Sequence, residues 1–185
     1  MSSLTRPTPP TAASLIAKYS LQPHPEGGYY SEIYKSPQRI TPHPSTPLPP
    51  AFTQPLRPFC TNIYFLLSSQ SPLSHLHRIA GDELWFHIGG RPLAVVEVGE
   101  GGARRTVLGR VDEGYDAYHC VEGGQWFGAE LQRSGGTAGE DEWALVCCVV
   151  SGSFFFEEFE LAKRAQLLEL FPKSAELVTK FTREE

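Results

Sequence analysis

The feature that most restricts the fold is a series of short apolar segments separated by turns. From residue 60 to residue 159 they recur at intervals of roughly 8–12 residues, and no helical pattern intervenes. They read CTNIYFLLS, SPLSHLHRI, ELWFHI, PLAVVEV, RRTVLGRV, DAYHCVEGGQWFGAEL, EWALVCCVV and FFFEEF, and YYSEIY precedes them. Many short strands without helices between them predict an all-β architecture, either a closed barrel or two packed sheets.

Both ends of the chain show a helical period instead. Near the N-terminus, Thr11 is a capping residue for a short helix. The apolar face of that helix consists of Leu15, Ile16 and Tyr19. Near the C-terminus, the pattern over residues 161–171 predicts a helix that Pro172 stops, and a shorter helix is predicted from Ser174.

The length of 185 residues favours one domain. Residues 1–10 are rich in Ser, Thr and Pro and are expected to be a flexible tail, which leaves 11–185 as the domain. The segment 37–58 carries eight prolines. Proline cannot donate a ladder hydrogen bond, so this segment is interpreted as an extended surface insertion. A proline-rich ligand for a partner domain is the alternative.

Charge and composition exclude several functional classes. The formal net charge is -5, and Lys and Arg are not clustered, so a nucleic-acid surface is not expected. No apolar stretch reaches about 18 residues, and the first ten residues lack the apolar core of a signal peptide. We therefore expect a cytoplasmic protein that contacts neither membrane nor nucleic acid. The four cysteines have no metal-binding spacing, and disulfides are not expected.

The segment 74–89, SHLHRIAGDELWFHIG, concentrates the residues that carry chemistry. Alternation along a strand would project His75 and His77 from one face. After a turn, three residues of the next strand would share a face: Glu83, Trp85 and His87. The opposite, apolar face would pack outward against another layer and consists of Leu84, Phe86 and Ile88.

So many polar groups on one face require hydrogen-bond partners or solvent. A cavity that accepts a ligand would meet this requirement. The alternative is that these residues form the solvated face of an edge hairpin. The pattern of two histidines followed by an in-face Glu and Trp favours the cavity.

These residues carry a resemblance to the cupin superfamily, whose members are small jelly-roll β-barrels. His75-x-His77, followed by Glu83 and a glycine, resembles the first cupin motif. The chain also resembles a compact cupin-like family of unknown function, related in fold to RmlC-type sugar epimerases. The matching pieces include HPEGGYYSEIYKS, TNIYFLL, SHLHRIAGDELWFHIGG, GGQWFGAEL and CCVVSGSFFFEEFELAKRAQLLELFP. The resemblance implies a double-stranded β-helix, or jelly-roll barrel, with short terminal helices, and a homodimer.

Metal-binding cupins usually supply a third histidine from a second motif of the form Pro-x-Gly-x-x-His. Here Glu122 stands at the proline position and Phe127 at the histidine position. The resemblance therefore leaves two alternatives: no cofactor, which we expect, or a divalent transition metal. The candidate metal ligands are His75, His77 and Glu83, with His87 or His119 in place of the missing histidine.

Without a metal, the same residues offer acid–base chemistry. His75 or His77 would be the base, Glu83 would orient it, and Tyr64 would be the acid on a neighbouring strand. Tyr64 reaches the interior only if the face that carries Asn62 points inward; otherwise Tyr64 packs outside.

Further residues are candidates for substrate binding. Arg78 would bind a carboxylate or phosphate, or else form a surface salt bridge. Trp126 and its neighbour Phe127 lie on opposite faces, so one would line the cavity and the other pack elsewhere. The predicted substrate-binding set is Glu26, Tyr29, Arg78, Trp85, His87 and Trp126.

The leading hypothesis is a metal-independent isomerase or epimerase that acts on a polar, carbonyl-containing metabolite. One alternative is a non-catalytic protein that binds or stores a small ligand. The other is a metal-dependent lyase or oxygenase.

Overall fold

A computed structural model describes residues 9–41, 52–54, 56–133 and 141–184. Most of the predicted tail and the middle of the proline-rich segment lie outside these ranges. So does nearly all of the segment GTAGED (136–141), which the sequence predicts to be an exposed turn. The α-helices described are α1 (Ala12–Tyr19), α2 (Arg164–Leu170) and α3 (Ala175–Phe181). Short 3-10 turns lie at Val111–Glu113, Phe156–Glu158 and Pro172–Ser174.

The first seven strands are β1 (Gln22–Pro23), β2 (Tyr29–Lys35), β3 (Arg39–Ile40), β4 (Arg57–Pro58), β5 (Cys60–Ser68), β6 (Leu73–Arg78) and β7 (Glu83–Gly90). The remaining strands are β8 (Leu93–Gly99), β9 (Gly102–Leu108), β10 (Tyr118–Val121), β11 (Trp126–Leu131), β12 (Trp143–Ser151) and β13 (Glu160–Leu161).

Two antiparallel sheets pack face to face. The first has the strand order β1-β2-β5-β12-β7-β10, and the second has the order β13-β6-β11-β8-β9. Neighbouring strands are mostly not consecutive in the chain, so the chain crosses repeatedly between the sheets, as a jelly roll requires. The predicted all-β jelly roll with short terminal helices is confirmed.

Alternation along β5 decides which side chains fill the space between the sheets. Phe65 and Leu67 are buried in the core that the sheets share, and Ile63 packs against that core. Tyr64 and Leu66 therefore point to the other face, where α1 covers them. The N-terminal helix begins at its predicted cap, since the Thr11 side chain accepts a hydrogen bond from the Ser14 amide.

The C-terminal helices cover the outer face of the second sheet. Leu167 of α2 and Val178 of α3 pack there against Leu76 and Trp126. Both helices lie where the sequence predicted them. Within the described residues, no helix combines the length and the apolar character needed to cross a bilayer.

Two expectations from the sequence are wrong, and one pairing was not predicted. The segment FFFEEF is not a strand: Gly152 and Ser153 adopt left-handed conformations, and a 3-10 turn follows at Phe156–Glu158. The ends of the proline-rich segment pair with each other, Arg39 and Ile40 in β3 against Pro58 and Arg57 in β4.

The second wrong expectation concerns the apolar outer face of β7. Phe86 is 37% exposed and Ile88 is 53% exposed, so no layer of the described chain covers this face. The Phe86 ring instead lies beside Tyr118 of β10, with their centroids 5.1 Å apart.

Candidate active site

The site begins in the turn between β1 and β2. The Gly27 amide donates to the His24 carbonyl at 3.0 Å, which closes the turn around Glu26. Gly27 has a φ of 107°, and a Cβ there would lie 2.3 Å from the carbonyl oxygen of Leu73. Only glycine permits this close approach of the turn to β6. As a result, the Glu26 side chain enters the interior and is 5% exposed.

A β-bulge in β6 selects which residues meet Glu26. His77 pairs with Phe127 of β11, but the next pair is Ser74 with Ala129, so three steps along β6 match two along β11. The extra residue interrupts alternation, and Ser74 rather than His75 shares the inward face with His77. The prediction that His75 and His77 share one face is therefore wrong.

The bulged His75 holds the turn in place from outside the cavity. Its backbone amide donates to the Glu26 carbonyl at 2.8 Å, and its ring Nδ1 lies 2.7 Å from the same oxygen. A carbonyl can only accept, so Nδ1 of His75 carries the proton. His75 is thus a residue that positions the Glu26 backbone.

The Glu26 carboxylate is the centre of a buried polar cluster. The Ser74 hydroxyl donates to Oε1 at 2.8 Å. Oε2 lies 3.1 Å from Nδ1 of His24 and 3.3 Å from Nε2 of His77. Burial alone would raise the pKa of Glu26, but His77, His24 and Ser74 together hold that pKa below its ordinary value.

His77 has no nitrogen free for a ligand. Its Nδ1 lies 2.8 Å from the carbonyl of His75 and must donate to it, while Nε2 faces Glu26. Burial lowers the pKa of His77, against the attraction of the carboxylate. The pKa shifts of His77 and Glu26 concern the same proton, because Nε2 of His77 and Oε2 of Glu26 can approach to 3.3 Å only with a proton between them. We therefore assign one proton to the His77–Glu26 pair.

His24 keeps one ring nitrogen free. Its Nδ1 lies 3.1 Å from Oε2 of Glu26, and the Glu26 amide approaches the same nitrogen at a longer 3.4 Å. The shorter, charge-assisted contact places the proton on Nδ1. The other nitrogen, Nε2, makes no hydrogen bond in the described part of the chain, so a neutral His24 presents a lone pair there.

A second carboxyl group, Glu83 at the start of β7, behaves in the opposite way. Burial and then the negative charge of Glu26 raise its pKa to about 8, and weaker interactions with Trp85 and Cys148 oppose this. Glu83 is therefore mainly protonated at neutral pH and acts as a hydrogen-bond donor. Of these two buried carboxyls, Glu26 is ionised and Glu83 is protonated.

These groups line a cavity of about 180 Å³ between the sheets. Its polar lining includes Gln22, His24, Glu26, Glu32, Thr61, His77 and Glu83. Its apolar lining consists of Tyr30, Ile63, Phe65, Ile79, Trp85, Cys148, Val150, Phe154 and Phe156. The aromatic segment that was predicted as a final strand thus supplies two walls of the cavity.

The structure brings together only part of the predicted site. Of the predicted catalytic and substrate-binding residues, those that line the cavity are Glu26, His77, Glu83 and Trp85. Tyr64 lies on the outer face of β5, the second of the two positions that the sequence allowed. Its ring is 4.7 Å from that of Tyr19, so it cannot protonate a ligand in the cavity. Tyr29 packs on the same outer side.

The other predicted residues lie outside the cavity lining. Arg78 forms a surface ion pair with Glu160 at 2.6 Å and stacks on Trp126. Trp126 is buried under the C-terminal helices, and its neighbour Phe127 faces the core between the sheets instead. His87 is outside the cavity lining, with Nε2 3.1 Å from the Arg91 carbonyl.

Two residues of the polar cluster around Glu26, Ser74 and His24, were not predicted. Ser74 enters only because of the bulge. His24 lies between two prolines in the turn PHPEGG, far along the chain from the histidines of β6. The available signal was its position two residues before Glu26, because a turn can bring such side chains together.

The residues present do not fit the metal site of metal-binding cupins. His75 is turned away by the bulge, and the ring of Phe127, at the third histidine position, lies 4.2 Å from that of His77. Among the described residues, no three His, Cys, Asp or Glu side chains are arranged to hold a metal ion. The candidate ligands His75, His77 and Glu83 thus do not converge.

Comparisons with known proteins assign this chain to a family. The model of a family described as cupin superfamily (DUF985) matches residues 13–162. A hypothetical protein from Leishmania major is 33% identical, with a TM-score of 0.79, covering 95% of this chain and 100% of its own. A Shewanella oneidensis protein is 30% identical, with a TM-score of 0.77, covering 96% and 100%. No curated protein matches the chain. The chain therefore belongs to the cupin superfamily, in the family described as DUF985.

Proposed function

We propose that the protein is a metal-independent isomerase or epimerase that acts by acid–base chemistry on a small, polar, carbonyl-containing metabolite. The observation that carries this proposal is the pair of buried carboxyls, Glu26 and Glu83, whose pKa values are driven in opposite directions in one cavity. Such divergence is typical of sites that divide acid and base roles between two groups.

His24 is the proposed base. Its Nδ1 donates to Glu26, so the carboxylate fixes the ring and stabilises the imidazolium that forms when Nε2 takes a proton. His77 keeps the carboxylate in place, since both of its own nitrogens are engaged. This reassigns the role of base from His75 or His77, which the sequence favoured.

Glu83 is the proposed acid. Its protonated carboxyl would donate to the carbonyl oxygen of the substrate while His24 removes a proton from the adjacent carbon. Return of the proton to carbon, from a different side or at a different position, gives the epimer or isomer. Because the acid loses its proton as pH rises through about 8, turnover should decline there.

The test is proton exchange in deuterated water, followed by NMR, with a panel of small uncharged ketones and hydroxyketones. The wild type should exchange the hydrogen next to the carbonyl of at least one compound. His24→Asn and Glu83→Ala should reduce that exchange by about 100-fold or more. The matched control is His119→Asn, because His119 pairs with Glu97 at 2.8 Å outside this cavity and should leave exchange unchanged.

Two results would refute the assignment. One is undiminished exchange in a folded His24→Asn variant, with folding checked by circular dichroism. The other is the absence of exchange by the wild type across the whole panel.

Ligand binding without turnover is the second candidate, and the predominantly aromatic wall favours it, because such a wall retains a ligand without chemistry. Incubation of the protein with any ligand that co-purifies with it separates the two functions. Recovery of that ligand unchanged and unexchanged supports binding alone.

We further propose that no metal takes part and that the protein forms a homodimer. The first rests on the donor geometry around His77, and elemental analysis of untagged protein tests it: less than about 0.1 equivalent of transition metal, with no gain in activity on metal addition, is expected. The second is supported by the exposed Phe86, Ile88 and Tyr118 beside the edge strand β10, and light scattering tests it.

A further inference from the structure

Trp85 carries a buried hydrogen-bond donor without an acceptor. The residue is 1% exposed and lines the cavity. In the described part of the chain, no group accepts a hydrogen bond from its Nε1. A buried N–H left in this state is costly, and native structures rarely contain one without a reason. A ligand atom in the cavity would supply the missing acceptor.

Glu83 provides a second donor beside the first. Glu83 and Trp85 are two residues apart on β7, so both project from its inner face. The indole N–H is close enough to the carboxyl to favour its ionised form, yet the two do not form a well-aligned hydrogen bond. The indole N–H and the carboxyl O–H therefore both remain able to donate to a ligand atom.

We infer that Trp85 Nε1–H and the Glu83 carboxyl O–H together bind one oxygen atom of the substrate, the oxygen that becomes negatively charged during the reaction. This inference rests on the proposed function. When His24 takes the proton from carbon, the C–H electron pair forms a C=C bond, and the C=O π pair moves to oxygen. The enolate oxygen then accepts from both donors, and the carbonyl is restored when a proton returns to carbon.

The charges around the cavity restrict the substrate class further. Among the described residues that line the cavity there is no Lys or Arg, and the Glu26 carboxylate is ionised nearby. A phosphate or a second carboxylate on the substrate would meet no Lys or Arg there, and His77 is already paired with Glu26. The substrate is therefore an uncharged carbonyl compound without a phosphate group, with an apolar part that the aromatic wall can cover.

The test is the binding of a stable oxyanion mimic, 4-nitrophenol, measured by equilibrium dialysis. The matched probe is 4-nitrotoluene, which has the same shape with a methyl group in place of the hydroxyl. The wild type should bind the phenol at least tenfold more tightly than the toluene, since hydrogen bonds to a charged oxygen are among the strong ones. Equal binding of the two probes would overturn the inference.

Trp85→Phe removes the N–H and keeps an aromatic ring, so it should weaken phenol binding about tenfold or more and leave nitrotoluene binding little changed. The control is Trp143→Phe, because the indole of Trp143 donates to the Pro10 carbonyl outside the cavity. Equal loss in the two variants, or no loss in a folded Trp85→Phe protein, would refute the role of Trp85.

The inference and the proposed function fail in different ways. Selective phenol binding without proton exchange from any ketone would support the oxygen-binding role of Trp85 and Glu83 and refute the proposed enzymatic function. Proton exchange without preference for the phenol would support the proposed enzymatic function and refute the oxygen-binding role of Trp85 and Glu83.

Discussion

Replacement of Glu83 by glutamine should change how stability depends on pH while preserving the shape of the side chain. In the folded protein, burial and the charge of Glu26 raise the pKa of Glu83 from 4.5 to about 8. The folded state therefore binds this proton more tightly than the unfolded state does. The resulting stabilisation is complete below pH 4.5 and is lost progressively as the pH rises to about 8.

The size of the effect follows from the width of that window. Each pH unit removes about 1.4 kcal/mol from the free energy of unfolding. Between pH 4.5 and about pH 8, the total is about 5 kcal/mol. Glu83 is 7% exposed, so solvent does little to screen this effect. A loss of about 5 kcal/mol is a large share of the stability of a domain of this size.

The assay is urea unfolding of the wild type and of Glu83→Gln at pH 5 and at pH 9, without ligand. The difference in unfolding free energy between the two proteins should move by about 4 kcal/mol in favour of the variant on going from pH 5 to pH 9, because pH 5 already lies inside the window. Glu169→Gln, at an exposed helical position, is the control and should follow the wild type. If Glu83→Gln also follows the wild type over this range, Glu83 is not a buried acid and the assignment of roles fails.

Three further predictions concern the surroundings of the site. Gly27→Ala should destabilise the protein by about 2 kcal/mol or more in thermal unfolding, because the backbone there is left-handed and a Cβ would clash with β6. Gly101→Ala is the control and should be nearly neutral, because a Cβ at that position meets only open space. Arg57→Met should lower the free energy of unfolding in urea by about 3 kcal/mol, because it removes the ion-pair partner of Glu158. The side chain of Glu158 is only 2% exposed. Glu26→Gln should be less stable than the wild type at pH 7 and converge with it in acid, because the stability that Glu26 contributes is present above pH 4.5 and lost as the pH falls through its lowered pKa.

The strands and helices could be predicted largely from periodicity. The strand β5 has the predicted bounds, Cys60–Ser68, and the helical ends lie where their apolar spacing placed them. Period two also placed Glu83 and Trp85 correctly on one face, because no irregularity interrupts β7 between them. Where the alternation of a strand is uninterrupted, the sequence alone predicts which side chains share a face.

The rest of the site depends on contacts between distant segments. Nothing in SHLHR marks the bulge, because it arises from the pairing of β6 with β11 rather than from a glycine within β6. Tyr64 could not be assigned, since both faces of β5 carry apolar residues and the covering helix α1 decides between them. His24 lies 53 positions from His77 in the sequence, and only the tertiary fold brings both rings to Glu26.

The bulge in β6 means that the chemistry of this interior is controlled by the length of a strand as well as by its composition. Insertion of one residue into β11 between Phe127 and Ala129 would match the three steps of β6, restore strict alternation, rotate the serine outward and bring a second imidazole inside. A proton-transfer pocket and a pocket with two inward histidines would then differ by one backbone unit, with no side chain exchanged. The register of β6 against β11 therefore decides which polar groups line the interior.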